Sequence, residues 1–324
     1  MKIVMLDRMG TDFSQEKSVF RAEGATFVVT YFKDAEELRE IVHDADILMF
    51  NDAHITKDVI DSLERCKMII RYGIGYDNVD LEAAGRKGIY VCNAPSYGTY
   101  DVAEHAMALL LSAVKHIPLA DKCARVGQWN AERVGKVRRL HGKILGLIGF
   151  GRIAREVAAR ARAFDMDVLV YDPYQSEEEI DAAGYKKVDL DTLLELSDYV
   201  TLHSPLTEET HHMLGMAQFK KMKKDAVLIN TARGALINEN ELIFALLSGE
   251  IGGAALDVFE TEPLPMNSKL LQMENVVLTP HVAWNSFEGV DDLHAEVIEN
   301  VVRVLHGETP QNIVNAKYLV KRMF

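Results

Sequence analysis

Two series of short apolar runs, each alternating with helix-like segments, limit what this chain can fold into more than any other feature. The first series is KIVML, TFVVTY, DILMF, MIIRY and IYVC; the second is KILGLIG, DVLVYD, YVTLH, AVLIN, GAALDV and NVVLTPH. Each run is too short for a helix and rich in β-branched residues, as expected of strands buried in a parallel sheet. The segments between them carry helix start and stop signals. In DAEELREIVHDA, Asp34 can cap the first turn and Glu37 can complete a capping box. In NENELIFALLSGE, Asn238 is the N-cap, Glu241 stands three places on and Gly249 marks the stop. Both series spell a doubly wound α/β sheet.

After Pro95 the first series gives way to TYDVAEHAMALLLSAVKHI, read as one long amphipathic helix stopped by Pro118, with a less regular stretch running on to Asn130. The final segment, SFEGVDDLHAEVIENVVRVLHGETP, reads as one amphipathic helix ending at Gly307. Because the second series closes at His281, this helix is free to return to the first domain. The expected division is therefore residues 1–99 plus 287–324 in a discontinuous first domain and 100–286 in the second, with a cleft between them.

Composition narrows the class. A chain of 324 residues with 48% hydrophobic and 26% charged side chains holds about two domains. A formal charge of −13 argues against a nucleic-acid partner, which needs clustered positive charge to displace counterions. Cys66, Cys92 and Cys123 form no CxxC pair and leave an odd count, which reads as reduced thiols in a cytoplasmic protein. Asp7 and Arg8 come too soon for a signal peptide, and AMALLLSAV is about half a membrane span. His211 and His212 are adjacent and are expected to point apart; with no HExxH or CxxC array, no metal is expected. His203 reads as a residue near the cofactor or a satisfied strand end.

LIGFGRIAREVA, from Leu147, combines strand, glycine turn and helix in the order of a dinucleotide site. Gly149 permits the tight turn, Gly151 lets main chain approach a pyrophosphate, and Ala154 is small enough for the helix to pack on the strand. The helix N-terminus then offers N–H groups and a positive dipole end to the phosphates. About 20 residues on, Asp172 ends the next strand, where its carboxylate can accept from both ribose hydroxyls. It would repel a 2′-phosphate, and DPYQ supplies no nearby arginine or lysine, so NAD is expected rather than NADP.

Three polar residues stand at the ends of later strands: Arg233 in INTARGALIN, Glu262 in LDVFETEPLP and His281 in VVLTPHVAWNS. A guanidinium suits a substrate carboxylate and carbonyl, an imidazole suits proton exchange near neutrality, and a carboxylate beside it fixes the ring. Each also has a plainer reading, as a surface ion pair, a turn residue before Pro263 and a strand-end histidine. With IIRYGIGYDNVDLEAAGRKGIYVCNAP, TLHSPLTEETHHML and ALDVFETEP in the same order, nearly the whole chain resembles the D-isomer-specific 2-hydroxyacid dehydrogenases. The resemblance implies a flavodoxin-like substrate-binding domain and a Rossmann NAD-binding domain, with Arg233, Glu262 and His281 as the catalytic trio. It also implies cofactor contacts at Arg152, Ile153, Asp172, Ser204, Thr231 and Asp257. In the first domain, Ile74 and Gly75 of RYGIGYDN would present N–H groups to the substrate carboxylate, with Arg71 close by. Ala154 departs from the more usual third glycine.

The implied reaction is hydride transfer between NAD(H) and a small 2-oxoacid, with His281 as proton donor, Glu262 as its partner and Arg233 as the substrate clamp. Trp284 beside the cleft would suit a small side chain. The rival reading is an NAD-sensing interaction protein resembling the C-terminal binding protein corepressors, which share RYGIGYDN, PSYGT and Trp284. Because the sequence ends soon after GETPQNIVN, the regulatory domain of some phosphoglycerate dehydrogenases is not expected. The long VAEHAMALLLSAVKHI segment is more apolar than one domain connection needs; burial in its own domain would explain it, and the resemblance favours a homodimer.

Overall fold

A computed structural model describes residues 1–7 and 10–320. The chain divides into two compact units, Met1–Gly98 with Ser286–Phe324, and Thr99–Asn285.

The first unit is built on five parallel strands: β1 (Lys2–Leu6), β2 (Thr26–Thr30), β3 (Ile47–Phe50), β4 (Met68–Arg71) and β5 (Tyr90–Cys92). They are ordered β2-β1-β3-β4-β5, the flavodoxin-like arrangement. The central strand β3 is buried at every position, whereas the edge strand β2 shows much of its surface. The last long helix, Phe287–Leu305, starts from Ser286, whose hydroxyl accepts the Gly289 N–H at 2.7 Å. Beyond it, Asn315 completes the free edge of β5 as a strand would. Its Oδ1 accepts the Val91 N–H and its Nδ2 donates to the Ile89 carbonyl, both at 2.9 Å.

The second unit carries β6 (Ile144–Ile148), β7 (Asp167–Tyr171), β8 (Lys186–Lys187), β9 (Tyr199–Leu202), β10 (Val227–Asn230), β11 (Gly253–Leu256) and β12 (Val276–Leu278). These seven parallel strands run β12-β11-β10-β9-β6-β7-β8, the Rossmann order with an added strand. Every run expected to be a strand is one. The strand not expected from the sequence is β8, a two-residue edge of lysines with no apolar run to announce it.

Local chemistry explains where the connection differs from expectation. The helix Thr99–Val114 ends before Pro118, because His116 adopts φ 52°, and Pro118 lies in the first turn of a second helix, Ile117–Arg125. Proline has no N–H to lose there, so it starts this helix instead of stopping the previous one. Asn130 in turn caps a short helix, Ala131–Val134. Asp34 does cap its helix, but Glu37 reaches back to the Lys33 N–H at 2.7 Å instead of closing a box on Asp34. The apolar face of Thr99–Val114, with Ala103, Ala106, Met107 and Leu110, is buried in the core of its own unit beside Val157 and Ala161 of the helix Arg152–Ala163. No helix among the described residues is long and apolar enough to cross a membrane.

Candidate active site

In the second unit all the sheet strands are parallel, so their C-terminal ends lie along one edge. Gly149 leaves β6 at φ 92°, a conformation that disfavours a side chain, and a Cβ there would lie 2.8 Å from the His203 carbonyl oxygen. The turn is thus pressed against His203–Ser204 at the end of β9. At Gly151, by contrast, a Cβ would meet nothing within 4 Å, so open space faces the start of the helix Arg152–Ala163. Ala154 is fully buried and Ile153 packs on the same core. Arg152 opens the helix, and the Ser204 hydroxyl donates to the Ile148 carbonyl at 3.3 Å.

Asp172 fixes the other wall of this turn. One carboxylate oxygen accepts the Phe150 N–H at 2.8 Å; the other accepts from Tyr174 and Gln175 at 2.8 and 3.1 Å. Contrary to the expectation that no cation lies nearby, Arg155 donates to the Gln175 side chain at 3.0 Å and Lys187 to its carbonyl at 2.5 Å. The fold brings them from the helix and from β8, neither of which adjoins DPYQ in sequence.

At the end of β10, the Thr231 side-chain oxygen is buried with no hydrogen-bond partner among the described residues. Such a group is costly unless something binds it. An orphaned hydroxyl at a strand's carboxyl end, with an open glycine turn and a helix N-terminus along the same edge, suits a dinucleotide.

The trio converges on the next three strand ends. Arg233 follows β10, Glu262 lies in the loop after β11 and His281 follows β12. His281 Nδ1 and Glu262 Oε2 are 2.7 Å apart, and the other oxygen of Glu262 accepts the Phe259 N–H at 3.0 Å. Burial alone would raise the Glu262 carboxyl; the hydrogen bond and charge of His281, the Phe259 N–H and the charge of Arg233 together hold it below its ordinary value. Close main-chain packing brings these loops together, since a Cβ on Gly234 would lie 1.9 Å from the Phe259 carbonyl carbon. Asn230, fully buried, fastens the Arg233 turn by accepting the Ala232 N–H at 3.0 Å and donating to the Arg233 carbonyl at 2.8 Å.

His281 itself sits at φ 54°, an uncommon conformation for a residue with a side chain. Asp257 holds it there. The buried carboxylate accepts N–H groups from Val282 at 3.0 Å and Ala283 at 2.9 Å, as well as the Thr279 hydroxyl. Its main-chain carbonyl accepts the His281 N–H at 2.8 Å. Burial would raise this carboxyl, but the bonds from His105 and Thr279 and the two N–H groups outweigh it and keep it ionised. His105, on the helix Thr99–Val114, and Thr279 were not expected in the site; their side chains meet at 3.0 Å. Trp284 donates its indole N–H to the His281 carbonyl at 3.1 Å.

His203 bonds Thr201 at 3.0 Å, and burial pushes its pKa down to about 4, so the ring is neutral. His211 and His212 do not point apart: their rings stack at 3.9 Å, because His212 takes φ 52° and turns its ring back. His212 also contacts Glu260.

In the first unit, Arg71 ends β4 and donates to the Asn51 carbonyl at 3.2 Å. It folds over Gly73, where φ is 145° and a Cβ would collide with the guanidinium. Carbonyls of the following loop are engaged, Gly73 by the Ala94 N–H at 3.0 Å and Ile74 by Asn93 at 2.7 Å.

Residues 107–283 match the family model described as D-isomer specific 2-hydroxyacid dehydrogenase, NAD binding domain. The chain belongs to the D-isomer specific 2-hydroxyacid dehydrogenase family. It is 44% identical over 282 residues to a D-3-phosphoglycerate dehydrogenase of Methanocaldococcus jannaschii, a match covering 86% of this chain and 53% of that one. It is 41% identical over 290 residues to a glyoxylate reductase of Thermococcus litoralis, covering 88% and 86% of the two chains. The chain thus spans about half the length of the phosphoglycerate dehydrogenases it matches. Among solved structures, an acyclic imino acid reductase in complex with NADPH and D-Arg superposes with a TM-score of 0.89 at 33% identity, covering 97% of this chain and all of that one. The family's cofactor is NAD(P), and the glycine turn with the Thr231 hydroxyl fits it.

Proposed function

We propose that this member of the family reduces a small 2-oxoacid to the D-2-hydroxyacid with NADH, and runs the reverse oxidation. The observation that carries this reading is the 2.7 Å His281–Glu262 contact with the charge of Arg233 beside it. When bound, the nicotinamide supplies the hydride. The chain's own residues do the rest. His281 holds a proton for the substrate carbonyl oxygen, and Glu262 fixes the ring through Nδ1, leaving Nε2 for exchange with substrate. Arg233 orients the carboxylate and polarises the carbonyl; Ile74 and Gly75 bind the carboxylate through N–H groups, with Arg71 near them and Trp284 limiting side-chain size.

Gly149, Gly151, Arg152, Ile153, Asp172, Ser204 and Thr231 would hold the cofactor, with Asp257 acting beside it through the His281 turn. Asp172, whose carboxylate bonds no cation among the described residues, supports NAD over NADP. Three buried free cysteines fit a reducing, cytoplasmic setting. A homodimer is also proposed; Ile117, Val126 and Trp129 expose apolar surface that could meet a second chain, and sedimentation giving a monomer would refute it.

The test is a panel of glyoxylate, hydroxypyruvate and pyruvate assayed with NADH and NADPH in parallel. Steady oxidation of NADH is expected, and His281→Ala should lower kcat about 10²- to 10⁴-fold with little change in NADH affinity. Tight NADH binding without turnover of any 2-oxoacid would overturn the enzyme reading in favour of a sensor.

A further inference from the structure

Glu16 is fully buried, although it stands in the first turn of a helix, Ser14–Ala22, in a segment (SQEKSVFRA) that looks solvent-facing. One of its oxygens takes hydrogen bonds from both the Tyr72 hydroxyl and His294 Nδ1; its other oxygen is buried with no partner among the described residues. Tyr72 and His294 also meet each other at 2.7 Å, and the Phe13 ring lies edge-on to both. The three polar groups come from three elements: the helix Ser14–Ala22, the residue that follows β4, and the helix Phe287–Leu305.

A buried charged cluster of this kind is weak evidence for stability. Taking the charges out of water costs about what their attraction returns, and apolar replacements of similar size are often neutral or stabilising. What such a cluster does supply is a defined geometry, because each donor must reach one oxygen. Here the geometry is imposed on Tyr72, the first residue of the segment that continues through Gly73, Ile74 and Gly75. Backbone bonds at 2.7 Å from Tyr72 to Phe50 and at 3.0 Å from Ala94 to Gly73 then carry the constraint along the turn. Neither Ile74 nor Gly75 donates its N–H to an acceptor among the described residues, so both amides are available at the end of an anchored segment.

We propose that Glu16, Tyr72 and His294 are positioning residues that set the turn through which Ile74 and Gly75 meet the substrate carboxylate. The substrate half of this inference rests on the function proposed above; the claim that the cluster sets the turn does not.

Two variants of the full chain test it. Tyr72→Phe removes one donor and keeps the ring. The triple variant Glu16→Leu, Tyr72→Phe, His294→Leu makes the cluster apolar. Both are expected to bind NADH as the parent does and to exchange the amides of Tyr72, Gly73 and Ala94 about tenfold faster, the equivalent of one charge-assisted hydrogen bond at the weak end of its range. KM for the preferred 2-oxoacid should rise by about the same factor, with kcat within about twofold. The triple variant should melt no lower than the parent, which a purely stabilising cluster would not allow. Parental exchange and parental KM in a folded triple variant would overturn the proposal; if that variant does not fold, Tyr72→Phe decides by the same two readings. If the parent turns over no 2-oxoacid, the functional reading fails while amide exchange still decides whether the cluster sets the turn.

Discussion

Replacing Thr231 by valine should make this protein more stable and a poorer cofactor binder at once. The hydroxyl is buried and has no partner among the described residues, so in the free protein it bears a desolvation cost of about 1–3 kcal/mol. Valine has the same branched outline without the oxygen and removes that cost. For a unit of this size each kcal/mol moves the melting temperature by about 2–4 °C, so Thr231→Val without cofactor should melt roughly 2–12 °C higher. With cofactor the sign reverses. If the hydroxyl bonds the dinucleotide, its loss removes a neutral hydrogen bond of about 0.5–1.5 kcal/mol, which weakens NADH about two- to twelvefold. Differential scanning calorimetry gives the first quantity and a fluorescence titration with NADH the second. Neither depends on turnover. A variant that melts higher yet binds NADH as tightly as the parent would show that the hydroxyl faces no cofactor. One that melts lower would show that the oxygen is satisfied in the free protein.

Other consequences are as direct. Gly234→Ala places a Cβ 1.9 Å from the Phe259 carbonyl carbon, a backbone atom that cannot swing aside, and should cost about 3 kcal/mol or more in denaturant unfolding. Gly249→Ala, with open space but φ 70°, is the control and should cost only about 1 kcal/mol. Asp257→Asn turns one acceptor of the His281 turn into a donor facing the Val282 or Ala283 N–H; we expect about 1–3 kcal/mol less stability and a kcat lowered about tenfold or more, checked by unfolding and steady-state assay. His203 is held neutral with a pKa near 4 against an ordinary 6.5, so between those values the unfolded chain binds the extra proton and stability falls as pH falls. The ceiling is about 3 kcal/mol, reduced because His203 keeps some surface, and His203→Gln should flatten the unfolding-versus-pH curve over that interval.

The legible parts of this molecule are those whose cause is local. Strands such as Ile47–Phe50 are buried on both faces and so must be apolar throughout; Asn238 caps its helix because the bond spans three residues. Arg233, Glu262 and His281 could be picked out for a related reason: parallel strands bring their carboxyl ends to one edge however far apart they lie in sequence. What surrounds them was not legible. The resemblance implies a cofactor contact for Asp257, but its hold on the next turn shows only once His281 is seen at φ 54°, and Gly234 reads as an ordinary glycine until the Phe259 backbone is found where its side chain would be. Pro118 reads as a helix stop because proline ends one helix and begins another with the same chemistry, and only the backbone of His116 decides which. Glu16 is the extreme case: its bond to His294 spans 278 residues, and nothing in SQEKSVFRA distinguishes a buried carboxylate from a solvated one. Strand-end position therefore singles out groups that share one edge of the sheet. The groups that fix their geometry depend on backbone conformation and on contacts between remote segments, and those have no period in the sequence.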